Sequence, residues 1–231
     1  MATNVLVVED EKAIADLIEV YLKSENYNIL KFNNGREALQ CIENENVDLA
    51  ILDVMLPDIN GFSICQQIRE KHNFPVIMLT AKDEEVDKIT GLTLGADDYI
   101  TKPFRPLEMV ARVKAQLRRF TKYNAAGPAQ EENSIVISGL VLNKDRHECL
   151  LNERPLSLTP TEFSILWLLA ANRGRVVSSE ELFQEVWGEK YYTNSNNTVM
   201  VHIRHLRAKM HDNAERPKYI KTVWGVGYKI E

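Results

Sequence analysis

Apolar runs of strand length alternate with helix-period segments through the first 120 residues. Val5-Leu6-Val7-Val8, Leu49-Ala50-Ile51-Leu52, Val76-Ile77-Met78-Leu79 and Tyr99-Ile100 are mostly β-branched or aliphatic, as strands buried on both faces require. Tyr27 to Phe32 is a fifth run with a weaker signal. Between the strands, Ala13 to Leu22 sets Ile14, Leu17, Ile18 and Tyr21 on one helical face. Repeated βα units with short connections predict an α/β fold, a five-stranded parallel sheet with helices on both faces.

The periodicity lapses from Thr121 to Ser134, where Asn124, Gly127, Pro128 and Glu131-Glu132 predict a linker. Residues 1–120 and 135–231 are then two domains, each long enough to bury its own core. The second begins with short strands at 135–137, 140–142 and 149–151. Thr159-Pro160-Thr161-Glu162 opens an apolar helix, with proline at its first position. A second helix starts near Ser178-Ser179-Glu180-Glu181 and a third runs from about Asn196 to Met210. Tyr219 to Ile230, holding Gly225 and Gly227, predicts a terminal hairpin.

Charge separates the halves further. Residues 1–120 hold 14 Lys and Arg against 20 Asp and Glu, a net of -6, and the remainder holds 14 against 13, a net of +1. From Ser195 onward the count is 7 basic to 3 acidic, which puts positive charge on the last helix and hairpin, where a phosphate backbone could be met. No apolar run approaches the roughly eighteen residues of a membrane span, and no charged signal-peptide head precedes the first strand, so a cytoplasmic protein without membrane association is expected. Cys41, Cys65 and Cys149 lack metal-type spacing and suit small buried hydrophobes in a reducing compartment.

Candidate chemistry falls at the carboxyl ends of the first-domain strands, where open α/β sheets place their sites. Glu9 and Asp10 follow the first strand, Asp53 ends the third, Thr80 the fourth and Lys102 the fifth. Three carboxylates gathered there repel one another unless a cation holds them, and hard oxygen ligands around a partly hydrated site suit Mg2+. Lys102 and the Thr80 hydroxyl would donate to an incoming phosphoryl group, leaving Asp53 as the nucleophile. Any one of these residues alone reads more simply as a solvated strand end. A phosphatase of the haloacid-dehalogenase type would want a second acid at Met55, and neither G-x-x-x-x-G-K-[ST] nor G-x-G-x-x-G occurs, which removes the common nucleotide-phosphate loops.

Leu52-Asp53-Val54-Met55-Leu56-Pro57, Gly95-Ala96-Asp97-Asp98-Tyr99 and Thr101-Lys102-Pro103-Phe104 resemble receiver domains of two-component response regulators, and the whole chain resembles their OmpR/PhoB class. The resemblance implies a flavodoxin-like, doubly wound receiver followed by a winged helix-turn-helix domain. It implies Asp53 as phosphoacceptor, Mg2+ on Glu9, Asp10, Asp53 and the Met55 carbonyl, and phosphate contacts from Thr80 and Lys102. Thr80 and Tyr99 would form a coupled switch. The partners it implies are a sensor histidine kinase, promoter DNA and RNA polymerase. Activity would stop at phosphoryl transfer to the protein's own Asp53 and slow loss of that group. Glu108, Arg112 and Arg119 share a helical stripe. The resemblance pairs Lys88 with Glu108, Asp97 with Arg119 and Asp98 with Arg112 across the two-fold axis of a homodimer formed on phosphorylation.

On the third helix of the second domain, a step of about 100° per residue puts Val199, Ile203, Leu206 and Met210 inward and Asn197, Val201 and His205 outward. Val201 would meet a thymine methyl and Asn197 and His205 base edges, with His202, Arg204 and Arg207 toward phosphates and Thr198 also on the DNA side. Tyr219 to Tyr228 resembles the wing hairpin of the class, adding Lys221, Thr222 and Trp224. Glu84 to Gly91, Asn196-Asn197-Thr198 and His202 to Arg207 resemble the subgroup that controls vancomycin-resistance genes.

Overall fold

The strand-length apolar runs do pair side by side. In the computed structural model, which describes residues 3–81, 95–124, 133–188 and 195–231, the chain forms two compact units, 1–120 and 121–231. The first holds β1 (Asn4–Val8), α1 (Lys12–Lys23), β2 (Asn28–Phe32), α2 (Gly35–Asn44), β3 (Leu49–Asp53), α3 (Gly61–Lys71), β4 (Val76–Ala81), β5 (Asp98–Lys102) and α4 (Pro106–Asn124). The strands are parallel in the order β2-β1-β3-β4-β5.

Alternate residues of each strand point to opposite faces, and each face has its own cover. Leu6, Val8, Ala50, Leu52 and Met78 pack with Ala38 and Ile42 of α2 and Ile64, Cys65 and Ile68 of α3. Val5, Val7, Leu49, Ile51 and Leu79 pack with Ile18 and Leu22 of α1 and Met109, Val113 and Leu117 of α4. This two-sided burial is why the central strands carry no polar alternation. The sheet's carboxyl edge is left as a rim of loops.

Helix α4 continues to Asn124, past the start of the expected linker, because Ala115 to Asn124 contains neither glycine nor proline to stop it. Strand β6 (Ser134–Ile137) pairs antiparallel with β7 (Leu140–Asn143), which pairs with β8 (Glu148–Leu151) and then β9 (Arg154–Pro155). Helices α5 (Pro160–Ala171), α6 (Ser179–Trp187) and α7 (Ser195–Met210) follow, with β10 (Val177–Ser178) before α6. Strands β11 (Ile220–Val223) and β12 (Gly227–Ile230) form the terminal hairpin, and β10 joins it alongside β12. Helix α5 starts with a reciprocal capping box: Glu162 N donates to Thr159 Oγ1 and Thr159 N to Glu162 Oε2. Phe163, Leu166 and Leu169 of α5 meet Val199, Ile203, Leu206 and Met210 of α7 in one apolar cluster closed by Tyr228 and Ile230. β9 and β10 are two residues each, too short to leave a periodic trace in sequence.

Candidate functional site

At the carboxyl rim of the parallel sheet, Glu9, Asp10 and Asp53 each offer a carboxylate oxygen, and these oxygens lie within 4.8 Å of one another. Glu9 and Asp53 are buried, and Asp10 is exposed. Lys102, at the end of β5, reaches across the rim. Its Nζ lies 2.7 Å from Glu9 Oε2 and donates to Asp53 Oδ2 at 2.9 Å. Burial pushes the Glu9 carboxyl above its ordinary range, and the Asp53 charge adds to the rise, while hydrogen bonding to Lys102 opposes it. Burial alone would lower Lys102, but its hydrogen bonds to Glu9 and Asp53 outweigh that, so the ammonium is held above its usual value.

One lysine cannot neutralise three carboxylates. The described rim therefore keeps a net negative charge on hard oxygen donors with one exposed side, a donor set that fits a divalent cation such as Mg2+.

The surrounding backbone is tightly held. Val54 N donates to Leu79 O and Gly61 N to Val54 O, each at 3.0 Å. A Cβ on Gly61 would stand 2.0 Å from the Asp53 carbonyl oxygen, so only glycine lets α3 begin this close to the Asp53 peptide. Met55 N donates to Asp53 Oδ1 at 3.3 Å, and the Met55 side chain is exposed. Thr80 is buried on the neighbouring strand. Tyr99 is half-buried against the α2–α3 side of the core.

Asp97 departs from the interface expectation. It is fully buried and accepts from Arg69 at 2.6 Å and from Val76 N at 3.0 Å. Arg69 also donates to Gly95 O and Phe74 O, at 2.7 and 2.8 Å. A carboxylate so enclosed is not offered to a second chain, because the pull of a nearby buried guanidinium outcompetes a distant surface one. Asp98 and Glu108 are both paired with Arg112 within the chain, at 3.2 and 3.0 Å, so Arg112 too starts from in-chain partners. Lys88 and the Arg119 side chain lie outside the described residues. Arg69 left no signal in sequence, since one arginine near the end of a surface helix is unremarkable.

On α7 the inward stripe is as expected, but the outward face differs. Met200 and Arg204 are exposed, Met200 by 49%, and His205 is half-buried. Val201, expected at the surface, is 7% exposed, and Thr198 and His202 are buried as well. The His202 ring lies 5.5 Å from that of Trp187 at the end of α6, which covers this flank of the helix. Helical angle identifies the side facing the domain core but not what else lies over the remaining surface. Arg207, expected toward phosphate, has its Nη2 donating to Ile220 O at 2.6 Å and to Thr222 Oγ1 at 2.9 Å, which ties α7 to β11. Lys221 pairs with Glu231. Trp224, at the hairpin tip, is 89% exposed. The Asn197 side chain lies outside the described residues.

Known proteins agree with both units. Residues 5–114 match the response regulator receiver domain family, and residues 153–230 match the family described as transcriptional regulatory protein, C terminal. The chain is 64% identical over 231 residues to the regulatory protein VanR of Enterococcus faecium, covering all of both chains. It is 56% identical to the regulatory protein VanRc of Enterococcus gallinarum, again over the full length of both. Among solved structures it is similar to the response regulator DrrB of Thermotoga maritima, described as an OmpR/PhoB homologue, at 32% identity and a TM-score of 0.52 over all of this chain and 99% of that one. Among the described residues no helix is long and apolar enough to cross a membrane.

Proposed function

This chain belongs to the two-component response regulators of the OmpR/PhoB type, with a receiver and a DNA-binding unit that regulates transcription, and on that footing we propose that a sensor histidine kinase phosphorylates it on Asp53. The observation that carries this reading is the rim itself: three clustered carboxylates, with a single lysine bonded to both Glu9 and Asp53.

An Asp53 carboxylate oxygen forms the new P–O bond as the P–N bond to the donor imidazole breaks. Glu9, Asp10 and Asp53, with the Met55 carbonyl, would hold Mg2+, which would supply positive charge to offset the negative charge of a phosphoryl group. Lys102 is already positioned by Asp53 and follows the group onto it, and the Thr80 hydroxyl donates to a phosphoryl oxygen. Movement of Thr80 toward phosphate opens space for Tyr99 to turn further inward, and that shift favours a symmetric receiver dimer in which Asp98, Glu108 and Arg112 exchange their in-chain pairs for partners across the two-fold axis.

The dimer binds double-stranded promoter DNA in the cytoplasm and acts on RNA polymerase. Arg204 and His205 on α7 and Trp224 at the hairpin tip are the contacts we favour, and Asn197 is kept among them from the sequence pattern alone. Full-length identity to VanR supports genes of the vancomycin-resistance type as the targets. Labelling with acetyl phosphate, with and without Mg2+, tests the core of the proposal. Asp53→Asn should abolish acylphosphate formation with little effect on folding, and wild-type labelling in that variant would remove Asp53 from its role.

A further inference from the structure

We propose that Asp58 is a positioning residue for the metal site, fixing the loop that carries Met55 by clamping it to the start of α2; this rests on the Mg2+ reading above. Loop 54–60 joins β3 to α3 and includes one of the groups assigned to the metal. Its two ends are set by backbone bonds, Val54 N to Leu79 O and Gly61 N to Val54 O. Between those ends, Asp58 ties the loop to another element. Its Oδ1 accepts from Gly35 N at 2.8 Å and its Oδ2 from Arg36 N at 3.0 Å.

These two amides open α2 and have no partner inside the helix, and the helix dipole adds to their attraction for a carboxylate. The hydrogen bond from Gly35, with that from Arg36, draws the Asp58 carboxyl below its ordinary range. Helix α2 has its own cap besides: Asn34 Oδ1 accepts from Glu37 N at 3.0 Å. Asp58 is therefore not needed to start the helix, and the clamp serves the loop. Gly35 makes the approach possible, since a Cβ there would stand 2.6 Å from Ile64 Cδ1 and 3.2 Å from Ile59 Cβ, the neighbour of Asp58.

A loop held at both ends and near its middle keeps Met55, three residues before Asp58, at a fixed distance from Asp53. Releasing the middle leaves the carboxylates in place but leaves Met55 held only by anchored Val54 and by the 3.3 Å bond from its own N to Asp53 Oδ1, so the loss should appear as weaker metal binding rather than a lost nucleophile. NMR titration of the full-length, unphosphorylated protein with Mg2+ reads this directly from amide shifts around Asp53. Asp58→Ala should raise the Mg2+ dissociation constant about tenfold, the lower end of what supporting partners of metal ligands contribute. Saturating Mg2+ should then restore labelling of Asp53 by acetyl phosphate.

Asp58→Asn, which keeps the shape and one good acceptor, should lie between Ala and wild type, and it decides the matter if the alanine variant does not fold. An unchanged dissociation constant in either folded variant, even with a lower melting temperature, would overturn the proposal and leave Asp58 as a helix cap. Failure of the unsubstituted protein to bind Mg2+ would instead sink the metal reading, and this proposal with it.

Discussion

Replacing Arg69 with alanine should destabilise the receiver far more than a typical surface arginine would. The Asp97 side chain has no solvent exposure and that of Arg69 only 12%, so the substitution leaves an anion in a low-dielectric setting and strips two carbonyls, Gly95 O and Phe74 O, of a charged donor. Breaking a buried pair from one side costs about 3–5 kcal/mol, a large share of the roughly 5–15 kcal/mol that holds a domain folded. Asp97→Asn keeps an acceptor for Val76 N and leaves the partly solvated Arg69 with its carbonyls, so it should cost less, about 1–3 kcal/mol. The double variant should be more stable than the sum of the two by on the order of 2 kcal/mol, because each single change strands the other charge. Trp167, Trp187 and Trp224 all lie beyond residue 120, so tryptophan fluorescence is blind to the receiver. Hydrogen exchange of β4 and β5 amides, with far-UV circular dichroism against urea, is the suitable assay. If Arg69→Ala stays within about 0.5 kcal/mol of wild type while Asp97→Asn loses only dimerisation, Asp97 is an interface residue and not the partner of a buried ion pair.

Acid should weaken the DNA-binding unit through His147. Burial lowers its pKa to about 4, so between the ordinary value near 6.5 and about 4 the unfolded chain takes up a proton that the folded one refuses. Stability therefore falls as pH drops through that window, by about 3 kcal/mol in all, and His147→Asn, which tolerates the residue's positive φ of 51°, should flatten the profile followed by tryptophan fluorescence; parallel profiles would refute it. Arg204→Ala should weaken binding to every DNA sequence by a similar factor and reduce the salt slope by about one, whereas Arg207→Ala should mainly lower thermal stability, because its guanidinium ties α7 to β11. Equal salt slopes for wild type and Arg204→Ala would remove Arg204 from the phosphate contacts.

The fold was legible because burial on both faces forces Val5-Leu6-Val7-Val8 and its counterparts to be apolar throughout, and because Thr159, Pro160 and Glu162 announce the start of α5 through its backbone's need for hydrogen-bond partners. The rim residues were legible for a similar reason: one polar residue ending each apolar run stands out, and sheet topology brings run ends together. What sequence could not give was the use of each charge. Arg69, Arg112 and Arg207 are indistinguishable as letters, yet Arg69 serves a buried carboxylate, Arg112 two in-chain acids and Arg207 the hairpin. Partner choice depends on separations set by the whole fold, and Coulomb attraction discriminates steeply among candidates only once those separations and the local burial are known.

The same reasoning explains why Asp53 stands out in the sequence and Asp58 does not. Asp53 closes an apolar strand, so its polarity conflicts with its surroundings and calls for a cause. Asp58 sits in a loop after proline, where aspartate is ordinary turn chemistry, and its significance comes from two amides more than twenty residues earlier. A receiver needs both kinds of group. The nucleophile must be reactive, and reactivity is visible as an anomaly in the pattern. The groups that hold it in register must only be well placed, and placement is a property of the folded chain, visible as distances.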